Sequence, residues 1–351
     1  MPIARNVIPF LALFALATPL AAQVKLSGYG EASYTFAPNA SGDVVVGRLY
    51  DRFANQFTLN GLKLVLERAA AADKLDAGVR ADLVLGQNAA VIQAAGMSLG
   101  PSADMTQLFI TLNMPTGNGN GLQFRIGKLV TLMGLELIET VANPNLSMGN
   151  QFVYVENFTN TGLEIGHRFS PALDVQFRIG NGWDRVQATD GNVDVMARVG
   201  ITGGKTSVGI VGYTGAMNAG SDAMRTGASV LVSQKLGKAS LWLQGDYGTE
   251  EAAPADVSWM AIGAWLAFDL SPKAGLAIRA DYLGDADGFR TGGAFGATGE
   301  HNLMSVTGTL NLKMWPNALV RPELRFDSSN QAVFDGEESQ ITLALSAAYI
   351  F

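Results

Sequence analysis

Over most of its length the chain alternates apolar and polar residues, and a period of two marks strands that send successive side chains to opposite faces. Residues 24 to 36 place Val24, Leu26, Gly28, Gly30, Ala32, Tyr34 and Phe36 on one face and Lys25, Ser27, Tyr29, Glu31, Ser33 and Thr35 on the other. Residues 74 to 85 repeat the pattern, with Leu75, Ala77, Val79, Ala81, Leu83 and Leu85 opposed to Lys74, Asp76, Arg80 and Asp82. Sixteen such segments fall at about 23–36, 57–68, 74–86, 105–114, 121–131, 159–169, 172–183, 191–202, 205–215, 225–235, 239–248, 257–270, 274–284, 301–314, 318–328 and 339–351. Most reach the roughly nine residues that a tilted strand needs to cross a bilayer, whereas strands of soluble proteins average about five or six.

The connections alternate as well. Seven short turns rich in Pro, Gly or Asn, such as 170–172, 203–204 and 237–238, interleave with eight longer stretches at 37–56, 87–104, 132–158, 184–190, 216–224, 249–256, 285–300 and 329–338. Tight periplasmic turns and long outer loops are the pattern of an antiparallel up-and-down transmembrane β-barrel of about sixteen strands. Closing the sheet leaves no unpaired edge, which matters in lipid because each unsatisfied backbone group costs several kcal/mol. At sixteen strands a barrel encloses an aqueous lumen rather than filling itself with side chains.

The first 22 residues, MPIARNVIPFLALFALATPLAA, read as a secretory signal peptide: Arg5, an apolar run from Val7 to Ala17, then small residues up to Ala22. The expected mature domain therefore spans 23–351, in the outer membrane. With no Cys, the chain has neither disulfides nor thiolate chemistry, and a formal charge of −7 argues against nucleic acid as a partner. The expected surroundings are lipid and lipopolysaccharide outside and small hydrophilic solutes inside.

If the apolar parity meets lipid, the other parity lines water, because Arg or Lys on the lipid face at mid-depth costs roughly 2–4 kcal/mol. That parity places Arg178 inside with Asp174 and Gln176, and Arg321, Glu323, Arg325 and Asp327 inside opposite Val320, Leu324 and Phe326. Lys63, Glu67, Arg80, Asp82, Arg125, Glu164, Arg198, Asp246, Arg279 and Asp281 also fall on it. Such charges either line the passage or pair across strands and stiffen the wall.

Several stretches carry a family likeness: SGYGEASYTF at 27–36, RLYDRFANQFTLNGLKLVLE at 48–67, FRIGKLVTLMGLELIET at 124–140, NGWD at 181–184, RPELRFD at 321–327 and the ending AAYIF at 347–351. In these the chain resembles the β-barrel porins of Gram-negative bacteria, and the final aromatic resembles the sorting signal of outer-membrane barrels. The resemblance implies a passive diffusion pore. In sixteen-stranded general porins the third outer loop folds inward to set the constriction, and here that loop is 132–158, which is unusually apolar for a solvated tip. By that likeness Glu136 and Glu139 face a basic wall of Arg80, Arg125, Arg178, Arg321 and Arg325. A homotrimer is usual for general porins, though monomeric and dimeric barrels exist. Two other readings are a plugged barrel whose outer loops act in adhesion or recognition and an outer-membrane hydrolase.

The chemistry-like motifs are weak. GITGGKTS at 200–207 lacks the first Gly of a phosphate loop, since position 199 is Val199, and fits a turn between strands. His167 and His301 lie on separate strands, and Ser305 is only near His301 in sequence. Asp184, Asp190, Asp285 and Asp287 lack any fixed calcium-loop spacing and read as solvated loop charge. Trp183, Tyr213, Tyr247, Tyr282 and Tyr349, near strand ends, read as interfacial girdle aromatics. No catalytic residue, metal or cofactor is expected.

Overall fold

The computed structural model describes residues 24–351 apart from 118, 119, 189, 219, 297 and 298. The leader expected over 1–22 and the mature start at Gln23 lie outside the described residues. Sixteen strands form one closed antiparallel barrel. The first eight are β1 (Lys25–Phe36), β2 (Gln56–Arg68), β3 (Asp76–Leu85), β4 (Ala103–Pro115), β5 (Gly121–Val130), β6 (Thr159–Ser170), β7 (Leu173–Gly180) and β8 (Asp194–Gly203). The remainder are β9 (Thr206–Ala216), β10 (Met224–Leu236), β11 (Ala239–Glu250), β12 (Val257–Ser271), β13 (Ala274–Asp285), β14 (His301–Trp315), β15 (Ala318–Ser329) and β16 (Ser339–Ile350).

Every strand pairs with its sequence neighbours, and β1 closes on β16 with Tyr34 opposite Leu345. Phe351 and Gly28 exchange both backbone hydrogen bonds at 2.9 Å, so the terminal aromatic is part of the seam. The alternation that identified the strands is the alternation of their burial. Along β16, Leu343 and Leu345 are 52% and 51% exposed toward lipid, while Ala344 and Ser346 are 8% and 0% exposed toward the interior. The turn between β8 and β9 needs Gly204 at φ +58, so GITGGKTS is a hairpin and not the mouth of a helix.

Parity is not unbroken. The β1–β2 pairing slips at Glu31/Ala32, so Thr58 and Asn60 point inward and, past Gly61, so do Lys63 and Val65. Two girdle assignments need correction. Tyr247 and Tyr349 do face outward, 58% and 57% exposed, but Trp183 and Tyr213 are 7% and 4% exposed and pack inside with Leu132, Met133 and Met217. Trp183 lies beyond Gly180, where β7 ends, so the alternation of that strand does not set its direction.

Candidate functional site: the lumen and its inward loop

The loop between β5 and β6 enters the barrel through a neck. Thr131 and Phe158 are joined by a backbone hydrogen bond of 3.0 Å, and the Thr131 hydroxyl donates to Asn157 Oδ1 at 2.7 Å. Asp184, from the next outer loop, accepts the amides of Phe158 and Thr159 at 2.9 and 2.8 Å. Burial pushes its carboxyl up to about 6, and those two amides oppose the shift. Gly134 at φ +80 gives the loop its first bend, where a Cβ would strike the Glu156 carboxylate.

Inside, the loop is stitched to the wall of β11 to β15 and, across the seam, to β1 and β2. Glu136 accepts from Arg279 at 2.8 Å, from the Trp265 indole at 3.2 Å and from the Gly149 amide at 2.7 Å. Arg279 is also held by Asp281 at 3.0 Å and donates to Thr307 at 3.0 Å. Glu323 accepts the amides of Leu146 and Ser147 at 2.7 and 3.0 Å. Arg325 pairs with Asp327 at 2.8 Å and donates to the Met148 carbonyl, and Arg321 binds Glu31 and donates to the Thr140 carbonyl at 2.8 Å. Glu139 and Asp82 both contact Lys63. Glu156 accepts from Gln244 at 2.6 Å, and burial, reinforced by Asp246, raises its carboxyl well above the usual carboxylate range. Each stitch joins residues more than seventy positions apart or satisfies a buried charge that would otherwise cost several kcal/mol.

Beneath the loop, on the periplasmic side, lies a cavity of about 900 Å³. The expected basic wall therefore divides. Arg80, Arg125, Arg178 and, unnamed as a constriction residue beforehand, Arg198 border this cavity together with Lys63, Glu136 and Glu139. Arg279, Arg321, Glu323, Arg325 and Asp327 face inward but are buried under the loop and do not border it. Glu136 and Glu139 meet Arg279 and Lys63, not the five arginines assigned to them. Sequence parity identified which residues point inward; it carried no information about which sector the loop would cover. The charges also pair across strands: Arg80 with Glu67 at 3.3 Å, Arg198 with Asp174 at 2.6 Å, and both Arg125 and Arg178 with Glu164.

Above the loop the outer half is packed. One apolar cluster gathers Leu132, Met133, Trp183, Tyr213 and Met217, and another gathers Tyr154, Trp259, Leu283, Leu303 and Phe334. His301 Nδ1 lies 2.5 Å from the Thr291 hydroxyl, whereas Ser305 donates to Asp281, so the two do not form a catalytic pair. Asp184 and Asp285 are not plain solvated charges: the first accepts the two neck amides, and the second, fully buried, accepts the amides of Phe289, Arg290 and Thr291.

A closed sixteen-stranded sheet, apolar toward lipid and charged within, defines an outer-membrane β-barrel of the porin class. The chain belongs to the family described as Putative beta-barrel porin-2, OmpL-like, whose model matches residues 23–351. It is a porin-like outer-membrane channel protein. No curated protein matches it in sequence. Among solved structures it is similar to the anion-selective porin from Comamonas acidovorans, with TM-score 0.66 and 10% identity over 93% of this chain and 99% of that one. The trimer form of OmpT, an outer membrane protein of Vibrio cholerae, gives TM-score 0.65 and 12% identity over 93% and 99%. OprB of Pseudomonas putida gives TM-score 0.62 and 12% identity over 95% and 96%. At such identities the likeness is one of fold.

Proposed function

We propose that this protein is a passive, non-enzymatic diffusion channel for small hydrophilic solutes and ions, with loop 132–158 setting its width and Arg80, Arg125, Arg178, Glu136 and Glu139 its field. The observation that carries the reading is the cavity of about 900 Å³ bounded by charged wall residues and by the inner edge of that loop. Selection in such a passage is by size and by the transverse field between opposed charges. Planar-bilayer recording of the refolded protein tests it: stepwise conductance is the expected result. A second reading, a barrel plugged at rest, draws on the two apolar clusters that fill the outer half. A folded barrel that gives no conductance steps sinks the first reading and favours the second. We further propose a homotrimer, the form named for the Vibrio OmpT structure; a monomeric mass in mild detergent sinks that.

A further inference from the structure

At the outer mouth, away from the cavity, two guanidinium groups share two indoles. Arg225, at the start of β10, lies 4.5 Å from the Trp183 ring centre and 5.8 Å from that of Trp259. Arg290, from the loop after β13, lies 5.5 and 5.3 Å from the same two rings. The cations are not equally compensated. Arg225 is paired with Glu250 through its Nε at 2.6 Å and donates to Asn218 at 3.2 Å. Arg290 uses only its Nε, on the Tyr154 carbonyl at 2.6 Å. Among the described residues its two terminal nitrogens have no hydrogen-bond acceptor and no carboxylate partner. Asp285, the nearby candidate, is taken up by three backbone amides and by the Thr291 hydroxyl at 2.8 Å.

The rings around the pair carry further unsatisfied donors. Trp183 Nε1, Trp259 Nε1 and the Tyr213 hydroxyl are buried without a hydrogen-bond partner, and Tyr213 packs edge-on to Trp183 at 5.2 Å. Buried donors of this kind are rare, and three in one cluster beside a guanidinium that no carboxylate hydrogen-bonds call for an acceptor. Burial, then the neighbouring Arg225, hold the Arg290 guanidinium down to about 10, which a bound negative charge would relieve.

We infer that Arg290, Trp183, Trp259 and Tyr213 form an oxyanion-binding site at the outer mouth, suited to a small phosphate or carboxylate. Arg290 remains partly open to the outer face, so the ligand enters without passing the inward loop. Binding is read on the folded barrel in detergent, independently of conduction, by tryptophan fluorescence with inorganic phosphate, acetate or chloride at constant ionic strength. Phosphate or acetate should give a saturable change that chloride does not. Arg290→Gln should weaken it by about tenfold or more, Tyr213→Phe by a smaller factor, and Arg198→Gln in the cavity should leave it unchanged. An identical response to chloride, or native affinity in Arg290→Gln, overturns the site. Should Arg290→Gln fail to fold, native affinity in Tyr213→Phe overturns it instead.

Discussion

Glu136 binds three groups at once, Arg279, the Trp265 indole and the Gly149 amide, all buried. Replacing it with Ala leaves Arg279 to Asp281 and Thr307 but deprives the Trp265 indole and the Gly149 amide of their acceptor, and losing hydrogen bonds to a buried charged group costs roughly 1.5–3 kcal/mol. Glu136→Ala should therefore lower the temperature at which the folded barrel converts to the unfolded form in a gel-shift series, whereas unchanged heat resistance would show that the loop is held elsewhere. Glu156 should behave in the opposite way. Burial raises its carboxyl well above the usual carboxylate range, so Glu156→Gln keeps the acceptor for Gln244 and removes the cost of ionisation. The expected outcome is stability equal to or above that of the native protein at pH 7, and a gain that grows as pH rises. Asp184 obeys the same sign. A folded value of about 6 above the usual 3.8 gives stability that is full below about pH 4 and is lost as pH rises through 6. Asp184→Asn should flatten that stretch of a heat-resistance profile, and a profile unchanged between pH 4 and 6 would rule the assignment out.

At the scale of elements, the strands were legible and the loop's landing place was not. Period two survives in sequence because lipid on one side and water on the other act on every strand separately. The slip beside Asn60 and Gly61 broke that rule locally, yet Lys63 was still placed inward because the bulge restores the parity beyond it. Trp183 and Tyr213 were misread since closeness to a strand end says nothing of whether a ring turns to lipid or into the mouth. The loop's contacts are of another kind: Leu146 and Ser147 reach Glu323, and Thr140 reaches Glu31. Pairing between residues so distant leaves no periodic trace, so the split of the arginines between cavity and anchor became visible only in three dimensions. Because the loop is an insertion across an already closed wall, excising 136–149 with a short Gly-Ser bridge should leave a folded barrel and raise single-channel conductance several-fold. A conductance equal to the native value would mean the narrowest point lies among the outer apolar clusters instead.

For the molecule as a whole, the question is whether its net charge of −7 or its interior decides which ions pass. Formal charge on outer loops and turns is screened within about 10 Å at 0.1 M salt, whereas charges that border the cavity act at contact range on whatever occupies it. On that wall the local balance is positive, because five cations, Lys63, Arg80, Arg125, Arg178 and Arg198, border the cavity against four carboxylates, Glu67, Glu136, Glu139 and Glu164, and Glu136 is already paired with Arg279 outside the lining. The interior should therefore prevail, and reversal potentials in a potassium chloride gradient should show a chloride preference. Arg125→Gln removes the surplus cation and should move the reversal potential toward potassium; Glu139→Gln leaves Lys63 paired with Asp82 and should move it toward chloride. The two shifts should shrink together as salt is raised from 0.1 to 1 M, where the Debye length falls to about 3 Å. If both variants reverse at the native potential, the wall charges serve only to brace the strands, and selectivity is set at the outer mouth.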